Sequence, residues 1–293
     1  VRVTNLGSCC IDNVYRVPHF VKPGETLPSA SYAVFPGGKG LNQSIALRYA
    51  GADVRHAGRI GQDGAWLKTL LTEAGVETSR LRVLGEPSGH AVIQVTPEGE
   101  NAIVLFGGAN RSIDASDLDG LFDDCEPGEF LLLQNEISYM AEIMERAAAM
   151  NLRIAFNAAP MSEAVRELPL KHVEYFIVNE GEGAALTGEK TTEGIMASMI
   201  EQFPGSKIVL TLGAAGARYT DGQLNVHQPG VRVQTTDTTG AGDTFTGYLL
   251  AGIATGRDIA SALDTACRAA ATCVTKPGAA SSIPRPGELV AGF

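Results

Sequence analysis

From Glu129 onward, short apolar runs alternate with helix-forming stretches, and this alternation narrows the possible folds more than any other feature of the chain. Phe130-Leu131-Leu132-Leu133, Arg153-Ile154-Ala155-Phe156, Tyr175-Phe176-Ile177-Val178 and Ile208-Val209-Leu210 each have the length of a strand. Helix patterns separate them, over Met140 to Met150, around Glu182 to Leu186 and over Ile195 to Phe203. A strand apolar at every position, rather than at every second one, has no face to give to water. It must be covered on both sides, as in a mainly parallel sheet between two helix layers. The runs also end alike, in Gln134-Asn135-Glu136, Asn157, Asn179 and Thr211-Leu212-Gly213. Carboxyl ends of parallel strands share one crevice, so these residues are expected to meet there.

The first part of the chain is less regular. Val1, Val3 and Leu6 form a short strand ending in Gly7-Ser8, and Asp12 in the loop beyond it is a candidate ligand contact. Ala91 to Val95 and Ala102 to Phe106 flank Thr96-Pro97-Glu98-Gly99-Glu100 and read as a hairpin. With strand pieces between Val14 and Phe35, it is expected to form a small sheet apart from the main one, a lid over about 14–35 and 90–106. An edge hairpin of the main sheet is the alternative. Ala217 to Val233 has hairpin alternation around Asp221-Gly222, and a helical region over Asp258 to Val274 leads into a small-residue tail loop that could lie against a flat ligand. No internal repeat or long linker divides the chain, which reads as one domain over 1–293.

Two glycine turns carry the chemistry. The later one runs Thr236-Asp237-Thr238-Thr239-Gly240-Ala241-Gly242-Asp243-Thr244-Phe245, with Tyr248, Leu249 and Ile253 continuing a helix pattern. The first N–H groups of a helix lack internal partners, and glycines let a ligand approach them, so this turn can cradle an anion. Asp243 would repel that anion unless it takes a proton from the group attacking it. The earlier turn, Gly37-Gly38-Lys39-Gly40-Leu41-Asn42, joins a strand to a helix marked by Leu41, Ile45 and Tyr49. A turn with one Lys can bind phosphate, although it is not the Walker pattern. Asn42 is either a ligand contact or a cap.

Charge and composition exclude some partners. A net charge of -10 gives nucleic acid and anionic membrane no basic face to meet. No apolar run approaches spanning length, and Val1 to Asp12 lacks the build of a signal peptide. Five cysteines, Cys9, Cys10, Cys125, Cys267 and Cys273, have no zinc spacing and read as reduced thiols, which suits a cytoplasmic protein.

Taken in order, Gly37 to Gln43, Asn179-Glu180-Gly181-Glu182, Thr211-Leu212-Gly213 and Asp237 to Phe245 make the chain resemble the ribokinase-like (PfkB) family of sugar and nucleoside kinases over nearly its whole length. The resemblance implies a Rossmann-like αβα sandwich with a small β-sheet lid, and transfer of the ATP γ-phosphate to a substrate hydroxyl. It would make Asp243 the base and the N–H groups of Gly240, Ala241 and Gly242 the hole for the transferring group. Asn179 and Glu182 would act on Mg²⁺ through water, and Asn179, Thr211, Gly213 and Ala270, with the region around Cys267, would contact the nucleotide. Asp237 and Thr239, with Gly278 and Ser282, would bind a monovalent cation, K⁺ by the same resemblance. For the acceptor, the ribokinase branch implies Asp12, Gly38, Lys39, Asn42 and Glu136, with Asp243 beside the reacting hydroxyl.

One departure stands out. Cys10 occupies a position where that branch usually has Asn, which leaves room for another pentose, a hexose or a nucleoside besides ribose. A nucleoside kinase of the same family is therefore the alternative enzyme, and a non-catalytic sugar or nucleotide sensor the alternative of another class. The apolar lid would need a cover, and a second copy of the chain would supply one in a homodimer.

Overall fold

The computed structural model describes residues 1–291; Gly292 and Phe293, the end of the expected domain, lie outside the described residues, as does the side chain of Asp119. The first half contains β1 (Val3–Leu6), β2 (Cys10–Arg16), β3 (Ser31–Gly37), α1 (Lys39–Tyr49), β4 (Val54–Gly61), α2 (Ala65–Glu73), β5 (Leu81–Leu84), β6 (Gly89–Val95), β7 (Asn101–Phe106) and α3 (Ala115–Leu121). Then follow β8 (Phe130–Gln134), α4 (Met140–Ala149), β9 (Arg153–Asn157), β10 (Val173–Asn179), α5 (Glu180–Thr187), α6 (Thr192–Gln202) and β11 (Lys207–Thr211). The chain closes with β12 (Gly216–Thr220), β13 (Asn225–Pro229), α7 (Ala241–Ala254) and α8 (Ile259–Cys273).

The main sheet has the order β13-β12-β11-β10-β9-β8-β1-β4-β5. It is parallel from β11 to β5, and the β12-β13 hairpin, turning at Asp221-Gly222, extends it antiparallel. Strand order leaves β1 in opposite directions, toward β4 and toward β8, so β1 marks the switch point where such sheets open a crevice. The unbroken apolar runs follow from cover on both faces. In β8, Phe130 and Leu132 pack into a core with α1, α7 and α8, whereas Leu131 and Leu133 pack into a second core with α4 and α6.

A second sheet has the order β3-β2-β6-β7. It is separate from the main one, as the hairpin and the early strand pieces imply. Its first strand begins earlier than the sequence suggests: Asp12 lies inside β2, opposite Phe35 and Ala91, and not in a loop. Cys10 to Asn13 carries no apolar alternation that would mark it as a strand. Backbone pairing on both sides, with β3 and with β6, holds it extended instead.

Candidate active site

Helix α7 begins at Gly240, whose φ of 77° is a left-handed conformation open to glycine and costly for most other residues. No side chain caps this end. Thr238 takes the N–H of Ala241 at 3.3 Å, but the N–H groups of Gly240, Gly242 and Asp243 meet no acceptor among the described residues. A methyl group built on Gly242 would touch nothing within 4 Å, so the turn is open. It faces a cavity of about 220 Å³ whose wall includes Lys39, Asn157, Asn179, Glu182, Gly242 and Asp243.

Asp243 is only 8% exposed, and it is held at both oxygens. Asn42 donates to Oδ2 and Gln43 to Oδ1, each at 2.9 Å. Both donors come from α1, and a glycine one turn beyond Asp243 lets α1 approach. A Cβ on Gly247 would lie 2.4 Å from the Ala46 Cβ and 2.9 Å from the Gln43 carbonyl oxygen. Asn42 is thus neither a cap nor exposed; Gly38 is the N-cap of α1. Its Oδ1 is buried with no hydrogen-bond partner, a state that costs free energy unless a ligand donor fills it.

The earlier glycine turn is built differently. Glu136 Oε2 accepts the N–H of Lys39 at 3.0 Å and a very short bond from the Ser8 hydroxyl. Ser8 in turn accepts the N–H groups of Gly40 and Leu41. This helix start is therefore closed by protein, and what it offers is side chains. Burial works against the charged form of Lys39, but the carboxylates of Asp243, Glu136 and Glu182 more than offset it and hold the amine's pKa above its usual value. Burial, reinforced by Glu136, pushes Asp12 up to about 6. Gly37 makes room for that carboxyl, since a Cβ there would lie 2.2 Å from it. Cys10 is buried beside it, its sulfur 3.5 Å from the amide of Asn110, which also bonds both backbone groups of Cys9.

Asn179 and Glu182 form a reciprocal cap on α5: Asn179 Oδ1 accepts the N–H of Glu182 at 2.8 Å, and Glu182 Oε2 accepts the N–H of Asn179 at 3.0 Å. The motif thus does structural duty as well as facing the cavity. Burial, with a contribution from Asp243, raises Glu182 above the usual carboxyl value despite its bonds to Asn179 and the nearby Lys39. Its oxygen donors suit Mg²⁺, and no group of three or more His, Cys, Asp or Glu side chains among the described residues forms an all-protein cage.

Beside the cavity, and sharing Thr211, Thr238 and Gly242 with it, lies a larger pocket of about 510 Å³. Gly213, Ala241, Cys267 and Ala270 line it, as does the segment from Gly230 to Val233. The tail loop does not. It packs under the start of α7, with Ala279 3.0 Å from where a Cβ on Gly240 would sit. Nearby, Asp237 accepts the N–H and hydroxyl of Thr239 at 2.9 and 2.6 Å and the N–H of Gly278 at 2.9 Å. Burial works against the ionised form here, yet these bonds hold its pKa below the usual value. They leave roughly one acceptor position of the carboxylate for a cation. Ser282 shares the loop but turns its hydroxyl to Ala279 and Cys273.

The structure thus gathers Lys39, Asn42, Asn179, Glu182, Gly240, Gly242 and Asp243 at one centre, with Thr211, Gly213, Ala241 and Ala270 on its nucleotide-sized side. Asp12, Gly38 and Glu136 lie toward the small sheet, and Asp237, Thr239, Gly278 and Ser282 form a separate cluster behind α7. Asn157 reaches the centre as a strand end, as expected, whereas Gln43 was not expected there, yet it bonds both Asp243 and, at 3.2 Å, Asn157. Successive helix residues point about 100° apart, so no pattern in α1 could show that Asn42 and Gln43 reach one carboxylate.

Known proteins resemble this chain in sequence and in fold. The model of the pfkB family carbohydrate kinases matches residues 2–286. A ribokinase of Bacillus subtilis is 34% identical over 289 residues, covering 97% of this chain and 96% of its own. A ribokinase of Cryptococcus neoformans, solved in complex with ADP, is 35% identical with a TM-score of 0.84 over 97% of this chain and 96% of its own. One from Arabidopsis thaliana, solved with ribose and ATP, is 28% identical with a TM-score of 0.85 over 97% and 95%. The chain belongs to the pfkB family of carbohydrate kinases.

Proposed function

We propose that this protein transfers the γ-phosphate of ATP to a hydroxyl of a pentose, with ribose as the first candidate. The observation that carries the reading is Asp243, buried, held at both oxygens and set beside an open helix start. The kinship with ribokinases supports the pentose and the nucleotide. ATP would fill the larger pocket, its γ-phosphate reaching the smaller cavity past Thr211, Thr238 and Gly242. The sugar would lie against Asp12, Gly38, Lys39, Asn42 and Glu136, with one hydroxyl donating to the unpartnered Asn42 Oδ1.

Asp243 accepts the proton of the attacking hydroxyl as the sugar oxygen bonds to the γ-phosphorus and the bond to the β-phosphate oxygen breaks, releasing ADP. The N–H groups of Gly240 and Gly242 and the Lys39 ammonium meet the charge spread over the transferring group, where fixed donors are most effective. Ala241 contributes less, its N–H being shared with Thr238. Asn179 and Glu182 would hold Mg²⁺ through water. When bound, that ion neutralises phosphate charge. Asp237, Thr239, Gly278 and Ser282 would hold a monovalent cation, K⁺, which fastens the loop behind α7.

The small sheet would act as the lid, its Asp12 face toward the sugar. On its opposite face Tyr32, Val34, Val92, Val104 and Phe106 are exposed, which fits cover by a second copy. The five free thiols suit a reducing, cytoplasmic setting. No described helix is long and apolar enough to cross a membrane. ADP release from a panel of pentoses, hexoses and nucleosides tests the acceptor, and a preference for nucleosides would replace ribose. Asp243→Asn should fold normally and lose about a thousandfold or more in kcat; near wild-type turnover would sink the assignment of the base.

A further inference from the structure

The Asp243 carboxylate is the end of a buried chain of hydrogen bonds that crosses the centre of the protein. Gln43 Nε2 donates to Asp243 Oδ1 at 2.9 Å, and Gln43 Oε1 accepts from Gln134 Nε2 at 2.7 Å. Gln134 Nε2 also donates to Asn5 Oδ1 at 2.9 Å, and Asn5 Nδ2 donates to Ser44 Oγ and to the Gly40 carbonyl, both at 2.8 Å. Ser44 Oγ lies 2.8 Å from His56 Nδ1, and His56 Nε2 lies 3.3 Å from the Cys9 sulfur. Asn5, Gln43, Ser44, His56 and Gln134 are all completely buried.

The polarity of this chain is set by partners that can only accept. The Gly40 carbonyl takes Asn5 Nδ2, which turns Asn5 Oδ1 toward Gln134. Gln134 Nε2 then donates to Asn5 Oδ1 and to Gln43 Oε1, and on the other side Asn157, whose Nδ2 donates to the Ile177 carbonyl, accepts from Gln43 Nε2 through its Oδ1. Burial depresses the His56 pKa to about 4, so the ring beside Ser44 is neutral at working pH. An amide is nearly the same shape either way round, and only hydrogen bonding decides which end points where. Reversed, Gln43 would set its carbonyl oxygen against the carboxylate.

We propose that Gln43 is a positioning residue for the phosphoryl transfer, and that Gln134, held by Asn5, together with Asn157 presents its N–H to Asp243. This rests on Asp243 being the base. The Gln43 N–H fixes the carboxylate's rotation toward the attacking hydroxyl. Asn42 cannot do this alone, because a single donor leaves the carboxylate free to swing about that bond.

The test is steady-state kinetics with ribose and ATP, or with whichever acceptor the panel selects. Gln43→Leu should lower kcat by about tenfold to a hundredfold, the range typical of groups that orient a reacting residue. Both KM values should stay within about threefold, since Gln43 touches neither substrate in this reading. Gln43→Glu keeps the shape but turns the donor into an acceptor, and should lower kcat at least as far. Unchanged kcat in Gln43→Leu, or a kcat restored by Gln43→Glu, overturns the proposal; a merely structural role would be met by the side chain of the same shape. Gln134→Leu removes one of the two amides that orient Gln43, the other being Asn157, and should lower kcat by less. If Gln43→Leu fails to fold, the Gln134 variant decides by the same criterion. Asp243→Asn run alongside separates the two readings: if it turns over normally the base assignment fails, whereas if it is inactive and the Gln43 and Gln134 variants keep their kcat, only the positioning role fails.

Discussion

The two glycine turns look alike in sequence and do opposite work. Each begins a helix at a glycine with positive φ, 95° at Gly38 and 77° at Gly240, which has no side chain of its own to cap the helix. At the first turn, Ser8 and Glu136 take up the N–H groups of Lys39, Gly40 and Leu41, and the backbone around Ser8 to Cys10 presses on Gly38. At the second, the N–H groups of Gly240, Gly242 and Asp243 meet no acceptor among the described residues, and all three residues line the cavity. The first is a socket that aims Lys39 and Asn42; the second is a donor surface for a charged group. A helix start acts on a ligand through its backbone only where the protein has left that backbone unsatisfied.

Substitutions at the two turns should therefore fail in different ways. Among the glycines, the largest effect is expected from Gly242→Ala. A Cβ has open space there, so the melting temperature should hold while kcat falls by about a hundredfold, because the methyl stands between the donors and the phosphoryl group. A variant that melted early but kept its kcat would mean that the second turn is structural like the first. Gly38→Ala should show the reverse. Its φ of 95° and backbone atoms at 2.9 to 3.1 Å leave no place for a methyl. Urea denaturation should report a loss of about 1–3 kcal/mol, and full stability would show that the socket can yield.

The smallest effect lies beside the first turn, at Asp12. With its pKa raised to about 6, the carboxyl is neutral below that pH and ionised above it. Sugar hydroxyls donate more strongly to the ionised form, so KM for the sugar should fall by up to about tenfold as pH rises through 6. Asp12→Asn should flatten this trend. A trend that survives the substitution would assign it to another group.

Much of this was legible in the chain. The unbroken apolar runs announced a two-faced parallel sheet because burial on both sides leaves no other composition stable. The hairpin over Gly89–Val95 and Asn101–Phe106 was visible for the opposite reason, having a turn between two short runs. Asp12 was misplaced into a loop, since a strand held by its neighbours' backbones need carry no pattern of its own. The tail loop packs against Gly240, and its small residues suit that close approach.

By itself, then, the sequence determined the αβα architecture, the two turns and the presence of Asp243 at a helix start, because periodicity and glycine placement are local properties. Only the tertiary structure decided which turn is open. It also joined Asn42 and Gln43 to a carboxylate 200 residues away, through the close approach of α1 and α7 at Gly247. The orientation of the Gln43 amide was decided further still, by Gln134, Asn5 and Asn157. Hydrogen-bond direction is a property of the whole network, and a buried network is assembled by packing, which no local pattern records.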